Sequence, residues 1–338
     1  MNLKESSYNK YALVREMMET SDVIKRFDNS EMSRFGSMAK EKKALFLTGE
    51  GSSRIFPAKR MIYDLLRRGL HIRAFTDGAT QALEYDLSPF SVFGASNSGQ
   101  TKEVIRLFDK LGNEGHHHRF GLTANRDTRL EKMSVDTHVL KCGKEDAVAA
   151  TKSVFEQALF YDALLHNIAG EEMKGLDELS SMVEEAMTVN IGNEISDIIS
   201  RAGIIYFAGR NNGVAEELTL KTNEITRKKS EFLEGTYGVH GIEEVMNPGE
   251  VVIWINPFPD EMAKFDECLV KGVGVNIIAI AAYETPFPTI IIPDGKQYSD
   301  YVELAAGWNI LVETGIKLGI DLDKPERARK VGNEYTGN

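Results

Sequence analysis

Cysteine is nearly missing from this sequence: only Cys142 and Cys268 occur among 338 residues. Two thiols make neither a disulfide framework nor a four-cysteine zinc site, and the count fits a reducing, cytoplasmic setting. Long apolar runs are missing too. No stretch approaches the ~18 uninterrupted apolar residues that a membrane-spanning helix needs. Met1 to Glu19 carries Lys and Glu and has no apolar core of signal-peptide type. Positive charge is in deficit, with 51 acidic side chains against 40 basic ones and a formal net charge of −11. That balance favours solubility and opposes attachment to nucleic acid or anionic membrane, so the expected partner is a small molecule.

What is present is length enough for two domains and an ordinary 42% of hydrophobic residues. Tyr11 to Phe27 has apolar residues at helical spacing, which predicts an amphipathic helix packed on a first lobe. Short apolar runs then alternate with helical patterns. Ala44 to Leu47, His71 to Phe75, Ser91 to Ala95, Phe120 to Thr123 and His138 to Cys142 read as strands. Ile55 to Arg68, Lys102 to Leu111 and Thr151 to Asn167 read as helices. After a helical pair over Leu176 to Arg201 the grammar returns, with strands at Ile204 to Phe207, Val251 to Asn256, Val275 to Ala281 and Thr289 to Ile292, and helices at Val214 to Lys229 and Tyr301 to Leu318. Leu45-Phe46-Leu47-Thr48-Gly49 and Ile205-Tyr206-Phe207-Ala208-Gly209 share one strand-to-glycine pattern. The expected fold is α/β, two tandem doubly wound parallel-sheet lobes with flanking helices. The expected division is an N-terminal helix in residues 1–30, a first lobe over 31–170, a second over 171–318 and a tail over 319–338.

Two turns carry the first functional signal. Gly49-Glu50-Gly51-Ser52-Ser53 follows a strand and opens a helix, so its amides and hydroxyls are placed to hold a phosphate. Arg54 stands where a dinucleotide fingerprint wants its third glycine, which argues against a nucleotide cofactor. Taken alone, Ser52 and Ser53 would be read as helix caps. Ser96-Asn97-Ser98-Gly99-Gln100-Thr101 changes the balance, because it brings three more hydroxyls to a second helix N-terminus. Adjacent strands would present both turns at the carboxyl edge of one sheet, where doubly wound folds bind ligands.

A second set of residues lies farther on. Lys221 and Glu224 fall on one face of a helix at i, i+3, a spacing that ordinarily gives a surface ion pair. His240 ends the glycine-punctuated stretch Gly235-Thr236-Tyr237-Gly238-Val239, a loop suited to an active-site wall. His116-His117-His118 does not converge as zinc ligands must, and reads as a solvated connection.

Together these motifs resemble the sugar isomerase (SIS) domain family, especially the isomerase half of glucosamine-6-phosphate synthases and stand-alone amino-sugar phosphate deaminases and deglycases. The resemblance runs over most of the chain. It implies phosphate or sugar contacts for Ser53, Ser96, Asn97, Ser98 and Thr101, with Ser52 nearer the sugar. It implies catalytic roles for Glu224 and His240, whose separation matches the family's glutamate and histidine, and for Lys221 one helical turn before the glutamate. Asp321-Leu322-Asp323-Lys324-Pro325-Glu326-Arg327-Ala328-Arg329-Lys330 resembles the synthases' C-terminal segment, in which the residue matching Lys330 reaches the open-chain sugar.

The implied chemistry gives each residue a reason to be present. Ring opening needs an acid and base, a task suited to a histidine such as His240. Moving a proton between C1 and C2 needs one carboxylate, Glu224. The developing oxyanion or iminium needs a cationic partner, Lys330 or Lys221. No metal or organic cofactor is called for. The resemblance also implies a homodimer, since in the family the histidine can enter the site from the neighbouring copy, here His240. Thr236-Tyr237 and Ile242 depart from the residues usual around the histidine, and Ala150 replaces a sugar-binding serine, so catalytic identity carries over better than substrate.

With no glutaminase segment before Gly49, glutamine-driven synthesis is not expected. The expected reaction is deamination or isomerisation of glucosamine 6-phosphate. The alternatives are deglycation of a 6-phosphorylated Amadori adduct such as fructoselysine or glucoselysine 6-phosphate and, outside enzymes, a phosphosugar-sensing regulator. A sensor of that kind usually adds a DNA-binding helix-turn-helix, for which the N-terminus offers little room or positive charge.

Overall fold

The computed structural model describes residues 1–327, 334 and 335, and its chain folds into two compact units. One comprises Asp22–Glu145, Ala150–Leu176 and, at the C-terminal end, the described residues 334 and 335; the other comprises Met1–Ser21, Asp146–Ala149 and the described chain from Asp177 to Arg327. Among the described residues no helix is long and apolar enough to cross a membrane.

The first unit holds a five-stranded sheet in the order β2-β1-β3-β4-β5, with every pairing parallel. Its strands are β1 (Ala44–Gly49), β2 (Arg73–Gly78), β3 (Ser91–Ala95), β4 (Arg119–Thr123) and β5 (Asp136–Val139). β1 and β3 are buried along their whole lengths because helices cover both faces, and this is why they read as unbroken apolar runs. The helix Lys152–Ala169 is buried almost all round, with Phe160 and Phe155 among its fully covered rings. The helix Met32–Lys42, which the sequence pattern does not announce, packs beside it through Phe35.

The second unit repeats the topology. Its strands are β6 (Ile204–Gly209), β7 (Lys229–Glu234), β8 (Val251–Ile255), β9 (Asn276–Ala281) and β10 (Thr289–Ile291), in the order β10-β9-β8-β6-β7. β6 thus takes the place of β1, and β8 that of β3. β7 was not expected: its charged residues face solvent at the sheet edge, so it lacks an apolar run. The helix expected to run to Lys229 stops at Thr226, where Arg227 takes a left-handed φ of 56° and releases the chain into β7.

The opening segment departs from expectation in two ways. Tyr11 to Phe27 is two helices, Ala12–Met18 and Thr20–Lys25. It was also expected to pack on the first lobe; from Asp22 onward it does, with Val23 against Leu140 and Cys142, whereas Met1–Ser21 belongs with the second sheet. The cause is a remote cap: both Asp323 carboxylate oxygens accept helix N-terminal amides, from Ala12 at 2.6 Å and Leu13 at 2.9 Å.

Candidate active site

In the first unit, parallel pairing of β1 with β3 brings Gly49 level with Ala95 and sets the two turns side by side at the carboxyl edge. Gly49 is needed there, since a Cβ would come within 2.9 Å of the Ala95 carbonyl oxygen. Ser52 and Ser53 sit in a single 3-10 turn leading into the helix Ile55–Arg67. Glu50, in the same turn, accepts from the Ala79 amide at 3.0 Å, and burial pushes its carboxyl above the ordinary range.

The second loop is preformed. Ser96 Oγ and Thr101 Oγ1 are 2.7 Å apart, Thr101 N–H donates to Ser96 Oγ at 3.3 Å, and Gln100 N–H donates to Ser98 Oγ at 3.1 Å. Gly99 allows the turn with a φ of 65°, in a place where any side chain would collide with Thr128. Among the described residues, the backbone N–H groups of Asn97 and Ser98 have no acceptor. Hydroxyls and unused amides at the start of the helix Lys102–Asn113 give this loop the chemistry of an anion site.

Asn97 is held differently from a free ligand-binding amide. Its carbonyl accepts from Ala124 N–H at 3.0 Å and Asn125 Nδ2 at 3.0 Å, and its own Nδ2 donates to Glu145 Oε2 at 3.0 Å. Glu145, which the sequence reading missed, is buried and also accepts from Thr151 N–H at 2.8 Å, Thr151 Oγ1 at 3.0 Å and Ser153 Oγ at 2.6 Å. One carboxylate therefore caps the helix Lys152–Ala169 and anchors the anion loop. Only an acid followed by Thr and Ser six and eight residues later hints at this in the sequence. At the far end of the loop, Thr101 pairs antiparallel with Glu334, and Tyr335 N–H donates to the Gln100 carbonyl at 3.0 Å.

In the second unit, the helix Val214–Thr226 carries Glu217, Lys221 and Glu224 at i, i+4 and i+7. The expected surface pair is nothing of the kind. Lys221 is 0% exposed, with Nζ 2.9 Å from Glu224 Oε2 and 3.4 Å from Glu217 Oε1, while Glu224 is 25% exposed. Among the described residues no group bonds the other oxygen of Glu224. A buried ammonium thus fixes one edge of a carboxylate and leaves the other edge available, the arrangement a proton carrier needs. His240 ends the 3-10 turn Tyr237–Val239, donates its backbone N–H to the Tyr237 carbonyl at 3.1 Å, and exposes an imidazole with no bonded partner among the described residues.

Lys330 lies outside the described residues. Among those described, no three His, Cys, Asp or Glu side chains come together as a metal site. His116 is partly buried rather than solvated, with Nε2 3.0 Å from the Leu87 carbonyl and Nδ1 accepting from His118 N–H at 3.3 Å. Cys142 is buried, and desolvation pushes its thiol far above the ordinary range.

Comparison with known proteins gives the same family resemblance that the loops suggested. The chain is 25% identical over 263 residues to glutamine–fructose-6-phosphate aminotransferase (isomerizing) of Aeropyrum pernix. That match takes in 71% of this chain but only 42% of the relative's length. Among solved structures, the C-terminal domain of glucosamine-fructose-6-phosphate aminotransferase from Francisella tularensis superposes with a TM-score of 0.78 at 18% identity, covering 95% of this chain and 100% of that one. Tagatose-6-phosphate ketose/aldose isomerase from Escherichia coli gives 0.76 at 18% identity, with 95% and 97% covered. Glucosamine-6-phosphate deaminase from Thermotoga maritima gives 0.67 at 23% identity, with 92% and 98% covered. No family model matches the chain. The fold is that of two tandem SIS lobes.

Proposed function

We propose that this chain is a phosphosugar enzyme that converts glucosamine 6-phosphate and water to fructose 6-phosphate and ammonia. The observation that carries the reading is the partly exposed Glu224 carboxylate, tethered through one oxygen to the fully buried Lys221. Its relatives' names point to the same substrate class, aminated and isomerised hexose 6-phosphates. In this reading residues 31–170 hold the phosphate through Ser52, Ser53, Ser96, Ser98, Thr101 and the Asn97 amide. Residues 171–318 supply proton transfer, and the tail over 319–338 supplies Lys330.

His240 opens the ring by moving a proton from O1 to O5. Glu224 then takes the C2 proton while O1 receives a proton given up by the substrate's ammonium group, and Glu224 returns its proton to C1, which leaves a C1 hydroxyl and an iminium at C2. Lys221 holds one oxygen of the carboxylate in place for that transfer. Addition of water at C2 and departure of ammonia complete the reaction. The homodimer belongs to the same proposal, because the unbonded, exposed His240 side chain is free to serve a neighbouring copy. So does a cytoplasmic location, for which both cysteines being free is the support.

A second reading, release of an amine from a 6-phosphorylated Amadori adduct, is favoured by Tyr237. It is 45% exposed three residues before His240, where its ring could contact the amine portion of such an adduct. Ammonia and fructose 6-phosphate release from glucosamine 6-phosphate, measured for wild type and Glu224→Gln, tests the choice. Release by wild type with a loss of about 10²- to 10⁴-fold in the variant is expected. No release by wild type transfers the proposal to phosphorylated sugar–amine adducts.

A further inference from the structure

His240 has an orientation problem. Its imidazole is exposed and makes no hydrogen bond among the described residues, so whatever aims it must act through the backbone of its turn. That turn rests on two buried side chains. A Cβ built at Gly238 would lie 3.3 Å from Phe265 Cε1, 3.4 Å from Leu233 Cδ1 and 3.5 Å from Phe265 Cζ, so the backbone two residues before His240 packs against the Phe265 ring with Leu233 beside it. Phe265 is fully buried and stacked on Trp254 of β8, with ring centroids 3.9 Å apart and planes 18° from parallel. Val239 and Leu233, on either side of Gly238, belong to the same buried cluster.

The helix that carries Phe265 is unusual at this point. Met262–Phe265 is α-helical, but Asp266–Val273 continues as a π-helix, a geometry uncommon in proteins and enriched near functional sites. Residues five apart lie one above the other there, as Lys271 Nζ and Asp266 Oδ2 show at 2.5 Å. Phe265 and Leu269, four residues apart, face the same way and both enter the cluster beneath the His240 turn.

We infer that Phe265, held by its stack on Trp254, is the positioning residue for His240 and acts through its contact with Gly238. This rests on the proposed acid–base role of His240 only for its effect on turnover; the positioning itself is readable without catalysis. Gly238 has no left-handed φ, so Gly238→Ala adds a methyl group against the ring without backbone strain. Phe265→Leu removes the ring, and the double variant gives the new methyl its space.

The experiment is a four-way cycle of wild type, Gly238→Ala, Phe265→Leu and the double variant, all in the full chain. It is read by the histidine Cε1–H NMR resonance assigned to His240 through His240→Asn, and by the pH profile of kcat on glucosamine 6-phosphate. Each single variant is expected to move the His240 resonance. Each should also lower kcat by about 10- to 100-fold with a much smaller change in KM, the size that a misplacement near 1 Å produces. The double variant is expected to recover towards wild type in both. Resonances at the wild-type position in both single variants overturn the inference, whatever happens to activity. So does a double variant that simply adds the two losses. Full activity of His240→Asn, with the resonance shifts still present in the cycle, instead overturns the acid–base role and leaves the positioning standing.

Discussion

At the carboxyl edge of the first sheet, the loop after β3 is Ser96-Asn97-Ser98-Gly99-Gln100-Thr101; at the same station of the second sheet, the chain after β8 runs Asn256-Pro257-Phe258-Pro259. The first presents hydroxyls and unused amides. In the second, two prolines have no N–H to offer, and the neighbouring side chains close on one another. Arg210 donates to the Asn256 carbonyl at 2.5 Å and stacks on Phe258, Asn256 donates to Glu303 at 3.1 Å, and Asn212 donates to Asp300 at 2.8 Å. The turn after β1 is Gly-Glu-Gly-Ser-Ser and the turn after β6 is Gly-Arg-Asn-Asn-Gly, so the contrast extends to the first βα connection. A shared topology supplies the same crevice twice, and side-chain chemistry decides whether it receives an anion or is filled from within.

The sharpest way to break that contrast is at the loops. Ser96→Ala and Thr101→Val should each weaken phosphosugar binding by about tenfold or more, since each removes a hydrogen bond to a charged group. Calorimetric titration of fructose 6-phosphate measures this. Asn256→Ala should leave that affinity unchanged and lower stability by about 1–3 kcal/mol, because it strips a buried carboxyl of its donor. Loss of binding in Asn256→Ala would mean that both crevices take ligand.

The two lobes should also answer pH in opposite senses. Burial, with the Asp300 charge beside it, pushes the Glu303 carboxyl up to about 8. A carboxyl raised in the folded state binds its proton more tightly there, so its contribution is fully present below the ordinary glutamate pKa and is lost as pH rises towards 8. Glu303→Gln should therefore raise the melting temperature at pH 8 relative to wild type and change it little at pH 4.5. In the first lobe His138 lies 4.8 Å from the Phe160 ring centroid, and burial lowers its pKa despite Glu31 at 3.4 Å. A histidine lowered in the folded state contributes above its ordinary pKa and loses that contribution as pH falls below about 6.5. His138→Phe should remove part of the acid-side loss in melting temperature. Smallest of all, Glu114→Ala should shift stability by less than about 1 kcal/mol, because its pair with Lys110 is exposed.

Much of this was legible in the sequence, for a physical reason. Buried strands of a parallel sheet show uninterrupted apolar runs, and Ser91–Ala95 could be placed to the residue. Gly51 and Gly99, both with positive φ, marked the two glycine-containing turns at the carboxyl edge. β7 was hidden because an edge strand alternates with charge, and Met32–Lys42 because Gly36 and its serines dilute a short apolar stripe. At the candidate site, residue identities were legible but environments were not. Nothing local distinguishes a Lys–Glu pair on a surface from Lys221, whose full burial comes from tertiary packing. Glu145 and Phe265 act across the fold on Asn97 and Gly238, so no window of sequence contains both ends of either contact.

The cap that ties the opening helix to the second sheet has a consequence for synthesis. Leu13, Val14 and Met17 are covered in the finished unit, yet the Asp323 carboxylate that holds Ala12 comes 311 residues later in the chain. At ribosomal speeds of about 5–20 residues per second, that is a delay of roughly 15–60 s. Until then the helix lacks its N-terminal cap, while the last strand of the first sheet, β5, is complete at Val139, 184 residues before Asp323. The first lobe therefore has every strand of its sheet before the second lobe's opening helix has its cap.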